Sequence, residues 1–244
     1  KGFRAGRVGI VAACAVKLPH VLRAVVQVQN VAVGTDSAGK DPETVCGNRR
    51  IYVCLPDVLR QSRLRLTERI LQSLPEAAGV VVKNLDELGM LQSMGYRGDL
   101  IGDSFLYACN SEAVRFYLDL FPQMQLVGSD ELTIRELTAL QADRRRMILK
   151  VYGCQPLMVS NQCLNRNYSE CRDRERRFSG KRQDRFFVLS SCSQCYSTIY
   201  HGICTWIADR PELDVYDKYL YDFTREEPEE MLGILARKRP AEFI

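Results

Sequence analysis

The sequence lacks a membrane-spanning apolar run, a signal peptide and a strong excess of positive charge. No apolar run approaches the roughly 18 residues that a membrane-spanning helix needs, and no signal-peptide pattern opens the chain at Lys1. Lys and Arg number 34 against 30 Asp and Glu, and the net charge of +4 is too small to indicate nucleic-acid binding by itself. These absences predict a cytoplasmic protein without a membrane partner. The first residue is not Met, so we expect the chain to be a fragment.

Several catalytic motifs are also absent. The only two histidines, His20 and His201, lie far apart and form no H-E-x-x-H, which argues against a zinc protease of that type. No G-x-G-x-x-G marks a dinucleotide site, and no C-x2-C-x2-C run marks a radical-SAM site. A nucleophilic Cys–His pair stays open, because His201 follows Cys195 closely.

What the sequence does contain is typical of a globular protein. Its 244 residues are 46% hydrophobic and 26% charged. That length suits one large domain or two small ones, and that composition argues against disorder, collagen and coiled coil.

Short apolar runs alternate with helical spacing from residue 51 to residue 153. Asn84 with Glu87, and Thr133 with Glu136, have the spacing of helix N-terminal caps. Buried strands followed by amphipathic helices predict parallel βα units and a TIM-barrel-like α/β fold. Five units are recognisable where a complete barrel has eight, so we expect an incomplete barrel unless residues 1–50 supply one or two further strands. The five runs are Ile51–Leu55, Gly79–Val82, Leu100–Gly102, Leu126–Gly128 and Met147–Tyr152.

The chain is predicted to have four parts. Residues 1–50 form a poorly readable N-terminal part of the barrel, and residues 51–153 form its βα repeats. Residues 154–209 form a Cys-rich, metal-binding segment. Residues 210–244 are highly charged and form a C-terminal linker with a helix at Glu226–Lys238.

Six of the ten cysteines lie in residues 154–209. Cys192 and Cys195 form a C-x2-C, and Cys163 and Cys171 form a C-x7-C, so two pairs could converge on one metal centre. Four thiolates suit Zn²⁺ or an iron–sulfur cluster, and the spacing does not choose between them. Thiols packed as small apolar side chains are the alternative. Packing is favoured for the more isolated cysteines, Cys14, Cys46, Cys54 and Cys109, whereas Cys154 and Cys204 could each substitute as a ligand.

Two segments carry a resemblance to a known family. Residues 152–163, Y-G-C-Q-P-L-M-V-S-N-Q-C, resemble the Y-G-x-x-P-L-M-V-S-x-x-C motif of the U32 peptidase family, the collagenase-like proteins. Residues 192–201, C-S-Q-C-Y-S-T-I-Y-H, resemble its C-x-x-C-Y-N-x-I-Y-N. Ser197 and His201 stand where the family usually has Asn. Many relatives carry their first cluster Cys at the position of Pro156, so the ligand set implied is that of the P-L-M-V-S subgroup: Cys163, Cys171, Cys192 and Cys195.

The resemblance implies two activities. The family name implies proteolysis. Its better-understood branches are iron–sulfur proteins that install hydroxyl groups without oxygen on tRNA, on rRNA or on a quinone precursor, and the RNA branches are thought to use prephenate. We therefore expect a [4Fe–4S] cluster and hydroxylation of a nucleobase in RNA. The alternatives are a peptidase and a zinc-stapled RNA-binding module. A second U32-type subunit, or the missing part of this chain, is the other partner expected.

Candidate site residues also follow from the expected barrel. The carboxyl ends of its strands carry Lys83 and Asp103, where TIM-type active sites form. A basic stretch between the cysteine pairs suits phosphate contacts through Arg174, Arg177, Lys181 and Arg182. A solvated loop of mixed charge is the competing interpretation of that stretch.

Overall fold

The computed structural model describes residues 8–14, 23–31, 49–72, 79–162, 175–179, 185–191, 195–223 and 226–235. Its strands fall into two sheets, and its helices follow the strands of the larger sheet. The strands are β1 Val8–Cys14, β2 Arg23–Val31, β3 Arg49–Cys54, β4 Gly79–Val82, β5 Leu100–Gly102, β6 Met124–Val127, β7 Met147–Gly153, β8 Pro156–Ser160, β9 Glu175–Ser179, β10 Arg185–Ser191, β11 Tyr196–His201, β12 Thr205–Trp206 and β13 Lys218–Phe223. The helices are α1 Leu64–Gln72, α2 Leu85–Ser93, α3 Ser111–Leu120, α4 Ile134–Ala139 and α5 Pro228–Leu235.

The larger sheet is a curled, mostly parallel sheet. Strands β3, β4, β5, β6, β7 and β13 are parallel neighbours in that order and form a half-barrel. Strand β1 pairs parallel with β13, and β2 pairs antiparallel with both β1 and β3, so the pairings lead back to β3. The six parallel strands are consistent with the predicted parallel βα barrel, and residues 1–50 supply two further strands, the alternative that the sequence left open. Of these two strands, β2 is antiparallel to both of its neighbours.

The predicted caps hold the helices at the carboxyl ends of their strands. The Asn84 side chain accepts a hydrogen bond from the Glu87 backbone N–H, and Thr133 and Glu136 form a reciprocal capping box. Helix α5 begins at Pro228, two residues after the predicted start. Each helix in these ranges is too short to cross a membrane.

Strand side chains alternate between two apolar layers, as the pleat of a strand requires. One face packs against the helices through a large cluster that includes Val80, Leu126 and Leu149. The opposite face forms a smaller cluster inside the curled sheet. Its members are Tyr52, Cys54, Val81, Ile101, Val127, Ile148 and Leu220. Cys54 is thus a core residue, as its isolated position in the sequence predicts.

The Cys-rich segment contains a second sheet, which the sequence pattern did not predict. Strands β8, β11, β10 and β9 form an antiparallel sheet in that order. Arg177 lies in β9 opposite Phe187 of β10, so part of the basic stretch is a strand rather than a loop. Arg174, Lys181 and Arg182 lie outside the described residues, and so do Cys163, Cys171 and Cys192.

Candidate functional site at the mouth of the curled sheet

A layer of charged and polar residues lies at the carboxyl ends of the parallel strands. Each comes two positions after a member of the inner apolar cluster, so the period of two places it on the same face. Its members are Lys83 after β4, Asp103 after β5, Ser129 after β6, Lys150 in β7 and Asp222 in β13. Charge therefore replaces apolar packing where ligands bind in barrels of this type.

Lys83 forms a buried ion pair with Asp57, from the loop after β3. Each side chain is 9% exposed. The Thr198 hydroxyl donates to Asp57 Oδ2 at 2.7 Å, and the Asp57 N–H donates to the Tyr196 hydroxyl at 3.3 Å. Burial alone would lower the pKa of Lys83, but Asp57, with smaller contributions that include Asp103, raises it well above its usual value. Lys83 is a fixed cation, and two residues of β11 hold its partner in place.

A second buried pair joins Lys150 to Asp130 at 2.5 Å. Burial opposes the charge of Lys150 too, and Asp130 and Asp222 outweigh it and raise the pKa of the ammonium group. Asp103 interacts electrostatically with both lysines. Burial raises the pKa of Asp103, while Lys83 partly opposes that rise. The site therefore combines two lysines that stay protonated with one carboxyl group that is easier to protonate than usual.

Glu87 supports the backbone beneath Lys83. Its side chain is fully buried, and Oε2 accepts a hydrogen bond from the Lys83 N–H at 2.6 Å. Among the described residues, its other oxygen, Oε1, has no hydrogen-bond partner. Burial raises the pKa of Glu87 to about 7, against the opposing effect of the Lys83 N–H and charge.

A cavity of about 200 Å³ adjoins the second pair. Ser129, Asp130 and Lys150 give it a polar wall, and Leu132, Ile134, Leu137 and Leu149 give it an apolar one. Tyr152, Gln155 and Thr205 extend the lining to the ends of β7 and β12. A small ligand in this space would meet both a charged and an apolar surface.

Cys195, one of the four predicted cluster ligands, lies in a turn directly before β11. It is exposed, and its φ of 54° is a left-handed backbone conformation that side chains with a β-carbon rarely adopt. Arg60, from the same loop as Asp57, donates to the Cys195 carbonyl at 2.9 Å and to Asn161 Oδ1 at 3.3 Å. Arg60 thus links the end of β8, which leads toward Cys163, to the turn that carries Cys195.

Cys154 and Cys204, the two possible substitute ligands, are joined in a disulfide. Both are buried. The Glu226 carboxylate lies 3.7 Å from Cys204 Sγ and accepts a hydrogen bond from the Tyr152 hydroxyl at 2.7 Å. The potential ligand atoms of the three residues lie within 4.8 Å of one another, so in the reduced form they could also hold a metal ion.

The structure places both predicted mouth residues, Lys83 and Asp103, in one electrostatic cluster. The sequence reasoning missed Asp57, Lys150, Asp222 and Thr198. A signal for two of them was present, because Ile148-Leu-Lys150 and Leu220-Tyr-Asp222 repeat the apolar-x-charged pattern of Val81-Val-Lys83. Asp57 carries no such signal, since it lies in a loop beyond the end of β3.

Comparison with known proteins identifies no relative. No family model matches the chain, no curated protein matches it, and no solved structure matches it.

Proposed function

We propose that this chain is an iron–sulfur-dependent enzyme that hydroxylates a nucleobase in RNA without using oxygen, as its resemblance to the U32 peptidase family implies. One observation supports this most. The loop after β3 supplies Asp57 to the ion pair at the mouth. The same loop supplies Arg60, which donates hydrogen bonds to the Cys195 carbonyl and to Asn161. An electron-transfer group near Cys195 would therefore adjoin the charged mouth.

The backbone at Cys195 fits a ligand role. A left-handed conformation costs roughly 1–3 kcal/mol for a residue with a β-carbon, and Gly would adopt it without that cost. A cysteine in place of glycine at this position is explained if its sulfur is needed to bind a metal. With Cys163, Cys171 and Cys192, it would hold a [4Fe–4S] cluster, which would carry the two electrons that leave the nucleobase on hydroxylation to an oxidising co-substrate such as prephenate. Zn²⁺ on the same thiolates is the structural alternative.

The mouth supplies charge and a proton carrier. Lys83 and Lys150 remain protonated while paired with Asp57 and Asp130, so their remaining N–H groups could donate to the carboxylates of a co-substrate such as prephenate. Asp103 lies between them and is the group best suited to hold or deliver a proton there. Arg174, Arg177, Lys181 and Arg182 would contact RNA phosphates.

The mouth lysines do not suit a peptidase that uses a lysine as its base or nucleophile. A lysine acting as a base or nucleophile needs a lowered pKa, and both mouth lysines have a raised one. His201, the one histidine in the described ranges, has its Nδ1 3.0 Å from the Ile203 carbonyl oxygen and 3.2 Å from the Ile203 N. That contact engages Nδ1, not Nε2, the nitrogen that acts as the base in a nucleophile–His pair.

The test is an oxygen-free reaction of the iron-loaded chain with RNA, a low-potential reductant and prephenate. Nucleosides from the digested RNA are analysed by mass spectrometry for the gain of one oxygen atom. We expect a hydroxylated nucleoside with the unaltered chain and at least a hundredfold less, roughly 3 kcal/mol of lost transition-state stabilisation, with Lys83→Met.

Lys218→Met is the matched control. Lys218 begins β13 and lies at the opposite end of the strands, where its ammonium group contacts the Arg145 carbonyl. It should retain activity. Full activity in Lys83→Met, or equal loss in both variants, would contradict a specific role for Lys83, and peptide cleavage without RNA modification would favour the peptidase.

A further inference from the structure

The disulfide joins the residue after β7 to the residue before β12, at the paired ends of these two strands. Thr205 pairs with Gly153 and Trp206 with Tyr152 in the antiparallel β7–β12 ladder. The same register places Cys204 opposite Cys154, and their Cα atoms are 3.9 Å apart. Because the strands already hold the two residues together, the sulfurs remain neighbours whether or not they are bonded.

Cys154 and Cys204 each precede a residue that lines the cavity. Gln155 follows Cys154, Thr205 follows Cys204, and both line the cavity with Lys150 and Asp130. A change at the cysteines therefore acts on residues that shape this cavity.

Glu226 couples the sulfurs to the same wall. Its Oε1 lies near Cys204 Sγ and accepts the hydrogen bond from Tyr152, which also lines the cavity. A reduced Cys204 would present an S–H donor to that oxygen, so Glu226 would bind the thiol and Tyr152 together.

We propose that Cys154 and Cys204 form a reversible thiol–disulfide pair whose reductant is a small thiol. The step is a two-electron exchange. Two thiol molecules give up two electrons and two protons and become one disulfide. The Cys154–Cys204 bond takes them and becomes two thiols. The oxidised pair fixes β12 against β7 at the cavity wall, and the reduced pair releases that covalent link.

Mass spectrometry of alkylated cysteines tests this on the full chain. Protein purified without reductant is treated with reduced glutathione, then with excess oxidised glutathione, and samples are alkylated under native conditions at each stage and again after unfolding. Because both cysteines are buried, we expect them to be linked and unlabelled at first, labelled on unfolding once they have been reduced, and linked again after oxidation. Cys109, which forms no disulfide and is partly exposed, is the internal control and should be labelled throughout.

Trp206 provides a second measurement. It is the only tryptophan of the chain, lies two residues after Cys204 and packs edge-on against Tyr152 at 6.1 Å. Its emission in metal-free protein should rise on reduction because a neighbouring disulfide quenches indole fluorescence. The change should be absent in the Cys154→Ser/Cys204→Ser variant and present in Cys109→Ser.

Three results would overturn the proposal. A disulfide that persists in excess reduced glutathione would be a permanent cross-link. Thiols that are labelled before any reductant and never close would show no pair at all. Labelling that requires a chelator instead of a reductant would assign the residues to a metal ion.

Discussion

Asp57→Asn is expected to lower the free energy of unfolding by about 3–5 kcal/mol, the usual cost of removing one partner from a buried ion pair. Lys83 stays charged at neutral pH, and its ammonium group is almost fully buried with Asp57 as the partner in contact. Asparagine keeps the size of the side chain and can still accept from Thr198, so the change removes charge above all. Urea unfolding at pH 7 measures the effect.

Asp143→Asn is the matched control for that change. Asp143 pairs with Arg145 on the surface, where the two side chains are 43% and 83% exposed. Surface pairs contribute about 0–1 kcal/mol. The double variant Asp57→Asn/Lys83→Met should recover part of the loss, because it removes the stranded charge. An Asp57→Asn loss no larger than that of Asp143→Asn would contradict the buried pair.

Glu87→Gln is expected to remove a pH-dependent penalty on folding. The pKa of Glu87 is about 7 in the folded chain, against an ordinary value of 4.5. From pH 4.5 to 7 the unfolded chain releases this proton while the folded chain keeps it, so the contribution of Glu87 to stability falls as the pH rises. A shift of this size corresponds to about 3 kcal/mol.

The difference between Glu87→Gln and the unaltered chain is the quantity to measure, by urea unfolding from pH 4 to 8. It should grow in favour of the glutamine variant across that range. Glu112→Gln, on the exposed first turn of α3, should stay within about 0.5 kcal/mol of the unaltered chain. A Glu87→Gln difference that is flat with pH would mean that the carboxyl group is not perturbed.

The parallel half of the fold was predictable because its signals are local. Strand β4 coincides with the predicted run Gly79–Val82, and strand β5 with Leu100–Gly102. Both are apolar on both faces, as strands between helices and an inner core must be. The caps at Asn84 and Thr133 act within one helical turn, so they too are visible in sequence.

The rest depends on contacts between distant residues. Strand β13 comes between β7 and β1 in the sheet, although its charged surroundings suggested only a linker. Asp57 meets Thr198 across 141 residues, and no spacing rule connects them. In sequence, Cys154 and Cys204 are 50 residues apart and nothing marks them as a pair. Their partnership follows from the β7–β12 register.

Cys195 is proposed to be a ligand of a [4Fe–4S] cluster beside the charged mouth. Anaerobic purification, followed by iron and sulfide analysis and a visible spectrum, tests it directly for the unaltered chain, Cys195→Ser and the control Cys109→Ser. We expect about four iron and four sulfide per chain with broad absorption near ~400 nm, lost in Cys195→Ser and kept in Cys109→Ser. Zinc without colour, or no metal in any sample, would contradict it.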